Sequence, residues 1–155
     1  DGGTTASEMR HYLTEKKDVT VITPSIVVTY WLAVTSNLNI YVLNGFFKRE
    51  SYSTVGAPSM DTIGEWNVSK AFFGAAGFTS EEGLSDLNLG FVEQKKVIAK
   101  KAKTIIGLID SSKWGVLSMG SFASAEDIDI IITDKNAPDS DIEISRSMGI
   151  DVRLV

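Results

Sequence analysis

The residues of this sequence best suited to chemistry are hydroxyls, glycines and a few charged side chains placed just after short apolar runs. Asp1-Gly2-Gly3-Thr4-Thr5 is the first such group. Glycines let a backbone approach a ligand closely, and N–H groups and threonine hydroxyls at a helix start can hold an oxyanion. Thr23-Pro24-Ser25 sets a second hydroxyl pair at a helix start. Asn44-Gly45 and Gly74-Ala75-Ala76-Gly77 are glycine-bearing strand ends, and Asp110-Ser111-Ser112-Lys113 adds two hydroxyls and a cation. Together they suggest one anionic, polyhydroxylated ligand. Each piece also has a plain structural reading. The first group can be a tight turn with a threonine cap, Ser25 a simple cap, and Asp110–Lys113 a solvated loop. Glu93 and Lys95 lie in a lysine-rich helical stretch, and such runs are usually a solvated face. His11 reads as a surface or partly packed side chain, and Trp31, Trp66 and Trp114 as core or interface.

Composition removes other chemistries. The chain has no Cys and one His, so thiol catalysis, thiolate zinc sites and multi-histidine metal sites are excluded. No metal and no cofactor is expected. Fifteen Lys+Arg against 20 Asp+Glu give a net charge of −5, which argues against nucleic-acid binding by these residues, since phosphate neutralisation needs clustered cations. The apolar runs fall short of the ~18 residues of a membrane span. No Walker motif and no Gly-x-Gly-x-x-Gly turn is present. The absence of Cys and of a secretory leader points to a cytoplasmic protein.

The elements that must position these groups follow from periodicity. Helices are predicted over residues 4–16, from Pro24 through Val34, weakly over 57–64, then over 89–102 and 139–148. Strands are predicted over 19–23, 40–43, 68–73, 104–109, 128–133 and 150–155. Residues 46–56 read as an irregular or short β excursion and 80–88 as a polar loop. The strand at 104–109 is apolar on consecutive residues, as in a sheet covered on both faces. The fold class is α/β, an open, mostly parallel doubly wound sheet with helices on both faces, in one domain over 1–155. Ligands of such sheets bind beyond the carboxyl ends of the strands. The opening turn is expected to follow a strand, and a further domain, upstream of this sequence.

Taken in order, these segments resemble the effector-sensing C-terminal domain of DeoR-family transcriptional regulators. The resemblance is carried by Asp1-Gly-Gly-Thr-Thr5, Val21-Ile-Thr-Pro-Ser25, Val42-Leu-Asn-Gly45, Val55-Gly56 and Lys70-Ala-Phe-Phe-Gly-Ala-Ala-Gly77. It continues through Gly83-Leu84, Glu93-Gln-Lys95, Asp110-Ser-Ser-Lys113 and residues 129–134. It implies a fold like that of sugar-phosphate isomerases and amino-sugar-phosphate deaminases. It implies a phosphorylated sugar or similar metabolite as ligand, with the phosphate on Gly3, Thr4 and Thr5. Asp1, Gly2, Ser25, Gly45, Glu93, Lys95 and Lys113 would line the rest of the pocket. It also implies an N-terminal helix-turn-helix domain outside this sequence, through which alone DNA would be bound, and a homo-oligomer. An isomerase or deaminase is the competing reading. The stretch from Gly74 to Phe78 has no ionisable side chain, and general acid–base chemistry needs one within reach of substrate. No catalytic residue is assigned, and sensing is favoured over catalysis.

Overall fold

Apolar residues in succession build the central strands, as expected for strands covered on both faces. In the computed structural model, which describes residues 1–56, 62–64 and 66–155, four parallel strands stand in the order β11-β10-β8-β5. These are β5 (Ala71–Gly74), β8 (Ile105–Leu108), β10 (Ile130–Thr133) and β11 (Asp151–Leu154). A second parallel pair joins β1 (Thr20–Thr23) to β2 (Asn39–Val42). An antiparallel hairpin pairs β3 (Phe46–Lys48) with β4 (Ser53–Val55). A three-stranded antiparallel sheet runs β6 (Gly77–Thr79), β7 (Gly83–Asp86) and β9 (Gly120–Ala123). The helices are α1 (Thr4–Ser7), α2 (Arg10–Leu13), α3 (Ile26–Thr35), α4 (Leu89–Lys101) and α5 (Asp139–Ser147). The class is α/β, as the sequence predicts, with antiparallel additions. The helix expected over 57–64 lies largely outside the described residues.

Three expectations change. The single helix over 4–16 is two short ones. Glu8, Met9 and His11 donate to the carbonyls three residues back, the tighter 3₁₀ pattern, and the Arg10 guanidinium takes the Ser7 carbonyl at 2.9 Å. The polar loop over 80–88 contains a strand. Leu84 and Ser85 are fully buried in β7, and Gly83 (φ +73°) passes so close to β9 that an added Cβ would lie 2.0 Å from the Ala123 carbonyl oxygen. The glycine that reads as loop is there for that close approach. β9 itself is unexpected: its Gly-Ser start reads as loop, and its pairing with β7 makes it a strand.

The core lies between the four-stranded sheet, α4 and the antiparallel strands. Phe73 meets Phe122 edge-on at 5.3 Å, and Phe78 meets Trp114 at 5.1 Å. Trp114 Nε1 donates to Thr133 Oγ1 at 3.1 Å, so its polar atom is satisfied in the core. Each such buried aromatic or aliphatic side chain contributes about 1.5–3 kcal/mol. Helix α4 is capped by Asn88, whose side-chain oxygen accepts from the N–H groups of Gly90 and Phe91, and its last turn carries Lys100 and Lys101. Its buried stripe is Val92, Lys95 and Ala99, at spacings of three and four. A lysine therefore sits on the face that packs on the core.

Candidate functional site

At the carboxyl ends of β5 and β8 lies a cavity of about 380 Å³. The opening turn Asp1–Thr5, Gly74 to Ala76, Asp86, Phe91, Lys95, Asp110 and Lys113 line it, with Ser51 from the β3–β4 hairpin. This is where the parallel-sheet rule places a ligand.

A buried charge cluster forms its floor. Lys95 Nζ donates to Asp86 Oδ2 at 2.7 Å and to the Gly74 carbonyl at 2.9 Å, and lies 3.0 Å from Asp1 Oδ2. The ammonium also stands 4.9 Å from the centre of the Phe122 ring. Its three protons thus have three oxygen partners. Lys95 is 5% exposed, and burial lowers its pKa from the ordinary 10.5, opposed by the Asp86 carboxylate. The Asp1 carboxylate fixes the turn: Oδ1 accepts the Gly2 N–H at 2.6 Å and Oδ2 accepts the Gly74 N–H at 2.8 Å. Gly2 has no room for a side chain, since a Cβ would lie 2.1 Å from Ser53 Oγ.

The upper rim is polar and open. Gly3 precedes α1 without a side-chain cap, and the first helical bond runs from the Ser7 N–H to the Gly3 carbonyl. The N–H groups of Thr4, Thr5 and Ala6 therefore precede the ladder and have no acceptor among the described residues. The Thr4 and Thr5 side chains are exposed. Opposite them Asp110 caps the 3₁₀ turn Ser111–Lys113, accepting the Ser112 N–H at 2.8 Å and the Ser112 hydroxyl. The Ser112 hydroxyl is the main cause that holds the Asp110 carboxyl below its ordinary 3.8. Asp134 accepts the Ser111 N–H at 2.6 Å and anchors the turn from β10. Lys113 Nζ is 3.9 Å from Asp110 Oδ2, a loose surface pair that leaves the ammonium available to a ligand.

The structure brings Asp1, Gly2, Gly3, Thr4, Thr5, Lys95 and Lys113 together at this cavity. It does not bring Ser25, Gly45 or Glu93 there. Ser25 is buried, and its hydroxyl accepts the Val28 N–H at 3.2 Å as the cap of α3. Gly45 (φ +139°) lets the chain cross β4, where a Cβ would lie 2.5 Å from the Val55 carbonyl oxygen. Glu93 points to solvent and pairs with Lys96 at 3.5 Å. Glu93 and Lys95 are two residues apart, about 200° around a helix, so only one can face the cavity. The sequence reading assigned no ligand-binding role to Asp86 or Ser51. Asp86 ends a strand that looked like loop. Ser51 arrives from a distant hairpin, and its buried hydroxyl has no hydrogen-bond partner among the described residues.

The sequence profile of the DeoR C terminal sensor domain matches residues 1–135. The chain belongs to that family. This DeoR sensor domain is 29% identical over 154 residues to the HTH-type transcriptional regulator GolR of Listeria innocua, covering 99% of this chain and 61% of the relative. The same identity and coverage relate it to the HTH-type transcriptional regulator IolR of Bacillus subtilis. It is 23% identical over 154 residues to the glycerol-3-phosphate regulon repressor of Escherichia coli, again covering 99% of this chain and 61% of that one. The chain thus spans about three fifths of the length of these curated relatives. As a DeoR sensor domain it is a regulatory module of transcription, not an enzyme. No helix among the described residues is long and apolar enough to cross a membrane.

Proposed function

We infer that the cavity binds a phosphorylated sugar or a closely related phosphorylated metabolite, and that its occupancy changes operator binding by the longer regulator. The observation that carries this reading is one turn, Gly2–Thr5, which lines the cavity with the acceptor-free N–H groups and exposed hydroxyls of Thr4 and Thr5, across from Lys113, whose pairing with Asp110 is loose. Such donors match the oxygens of a phosphate. Lys95 is already saturated by Asp1 and Asp86, so the cation left to meet a ligand is Lys113, held only loosely by Asp110. The Asp1 and Asp110 carboxylates and the Ser51 hydroxyl then face the hydroxyls of a sugar. One of the relatives is named for the glycerol-3-phosphate regulon, which agrees with a phosphorylated effector.

DNA is contacted through an N-terminal helix-turn-helix domain of the longer protein, acting in the cytoplasm. The effector shifts the population of two arrangements of that protein by binding one of them better. A homo-oligomer belongs to the same reading, because two-fold operators are read by two-fold proteins. The outer side of α3 leaves Tyr30 70% and Val34 63% exposed, with Ile26 and Val27 beside them. Such an unpartnered apolar face suits a subunit contact.

The test is a thermal-unfolding screen of phosphorylated sugars, each paired with its free sugar and with inorganic phosphate. A ligand at about 100 times its Kd adds roughly 2.7 kcal/mol, a rise on the order of 5 °C for a domain of this size. The expected result is a shift with one phosphorylated compound, lost in Thr4→Ala and Lys113→Ala and kept in Glu93→Gln. The same compound then changes operator retention by the full-length protein. No shift with any phosphorylated compound would overturn the reading.

A further inference from the structure

A smaller cavity, of about 210 Å³, lies between the β6–β7 hairpin, the segment after the 3₁₀ turn Ser111–Lys113 and helix α5. Phe78, Trp114 and Ile144 are its apolar lining, and Glu81 and Asp141 bring its charges. Neither carboxylate has an ion pair among the described residues, and no Lys or Arg is among the residues that line the cavity. The Trp114 indole N–H is already taken by Thr133 Oγ1, so the ring has only carbon to offer here. Ser145 is the group that stands out. It lines the cavity from α5, it is fully buried, and its hydroxyl has no hydrogen-bond partner among the described residues. A helical Ser or Thr hydroxyl commonly bonds the carbonyl four residues back. Ser7, Thr29 and Thr35 do so in this domain, at 2.9, 2.7 and 2.7 Å. Ser145 forgoes the equivalent bond to Asp141. Buried polar groups of folded proteins are hydrogen-bonded, so this exception asks for a partner from outside the chain.

We propose that this cavity is a second ligand site, and that it binds a primary alkylammonium group about the size of a lysine side chain. An ammonium has three donors and no acceptor. Glu81, Asp141 and the Ser145 hydroxyl are acceptors for those three N–H groups. The alkyl stem lies against Phe78, Trp114 and Ile144, as the stems of long cationic side chains lie on apolar surface. Aromatic rings beside the cation add a further attraction. A volume of 210 Å³ equals that of about seven waters of the liquid, which admits a short chain and is below the range of a drug-sized ligand. Other chemistries fit less well. An anion meets two carboxylates, and a quaternary ammonium has no N–H and leaves Ser145 without a partner. The site is separate from the effector cavity but adjoins it in sequence. Lys113 lines the effector cavity, and the next residue, Trp114, lines this one. The proposal does not depend on what fills the effector cavity.

Calorimetric titration of the full-length regulator with n-butylammonium chloride, without effector, tests this. So small a guest should bind with a Kd on the order of 1 mM, and the Trp114 indole N–H resonance should move with the same saturation. Tetramethylammonium chloride, which has the charge but no N–H, should bind at least about 10-fold more weakly, the worth of a hydrogen bond to a charged group. Asp141→Asn should weaken butylammonium by about the same factor. Ser145→Ala should weaken it without lowering the Tm, because the hydroxyl has no bond to lose in the unliganded domain. A lowered Tm with binding kept would make Ser145 structural and overturn the proposal. So would equal responses to the two cations, or no saturable response up to about 100 times the expected Kd. Nα-acetyl-lysine methylamide separates the sources of the ammonium. Binding tighter than that of butylammonium assigns the guest to a lysine side chain of a protein, and weaker binding assigns it to a free amine. Because no effector is present, none of these results bears on the phosphate assignment.

Discussion

Lys95→Met isolates the charge cluster beneath the effector cavity. The substitution keeps most of the unbranched apolar stem and removes the ammonium. It leaves the carboxylates of Asp1 and Asp86, whose side chains are 7% and 19% exposed, without the cation 3.0 and 2.7 Å away. It also frees the Gly74 carbonyl. Deleting one partner of a buried pair costs about 3–5 kcal/mol, because the remaining charge stays desolvated and unpaired. For a domain of this size that lowers the Tm by roughly 10 °C. Thermal and urea unfolding at neutral pH measure it. The origin of the loss is then checked by adding Asp86→Asn, which removes one orphaned charge. The double variant should recover at least about 1 kcal/mol over Lys95→Met, a coupling typical of groups in one network. A loss under about 1 kcal/mol, the value of an exposed pair, would refute the claim that the cluster is buried and interdependent. Strict additivity in the double variant would refute it equally.

Gly2→Ala should loosen the opening turn, since its Cβ would meet Ser53 Oγ at 2.1 Å. Overpacking of this kind costs about 1–3 kcal/mol, read by urea unfolding, and the smaller Ser53→Ala background should restore part of it. Trp114→Phe removes the bond to Thr133 Oγ1 and leaves a buried hydroxyl without its donor, a loss of about 1–3 kcal/mol by the same measurement. Acid should release the Lys113 turn. The Ser111 N–H holds the Asp134 carboxyl, and the Ser112 hydroxyl the Asp110 carboxyl, below 3.8. A depressed carboxyl stabilises the fold above its unfolded value, so the effect is complete above about pH 5 and lost as pH falls through the folded value. The Ser111 and Ser112 amide resonances report it, and a midpoint above 3.8 would contradict the geometry.

The parallel core was legible because consecutive apolar residues such as Ile105 and Ile106 admit few other readings. The expected helix at 89–102 and strand at 104–109 match α4 and β8 to within a residue at each end. The antiparallel sheet was not legible. Its glycines and serines serve close packing between strands, which local pattern cannot distinguish from solvation. At the site, the turn residues were readable because turn chemistry is local. Ser25 and Gly45 misled for the same reason: a hydroxyl at a helix start and a glycine after a strand serve capping and chain crossing equally well. Glu93 was decidable from the sequence, because helical geometry forbids it and Lys95 from sharing a face. Ser51 was not, because only the three-dimensional fold brings its hairpin to the cavity.

The Asp1 carboxylate joins residues 73 positions apart when it accepts the Gly74 N–H, and reaches further still to Lys95. Contacts of that sequence separation need long loops to close before they return any free energy, so they form late in folding. The effector cavity is therefore a property of the finished chain, absent from partly folded forms that already have α4 or the β8–β10 pair. A ligand for it distinguishes completed molecules from incomplete ones. The contacts that recognise the effector thus also report that this domain has closed on itself.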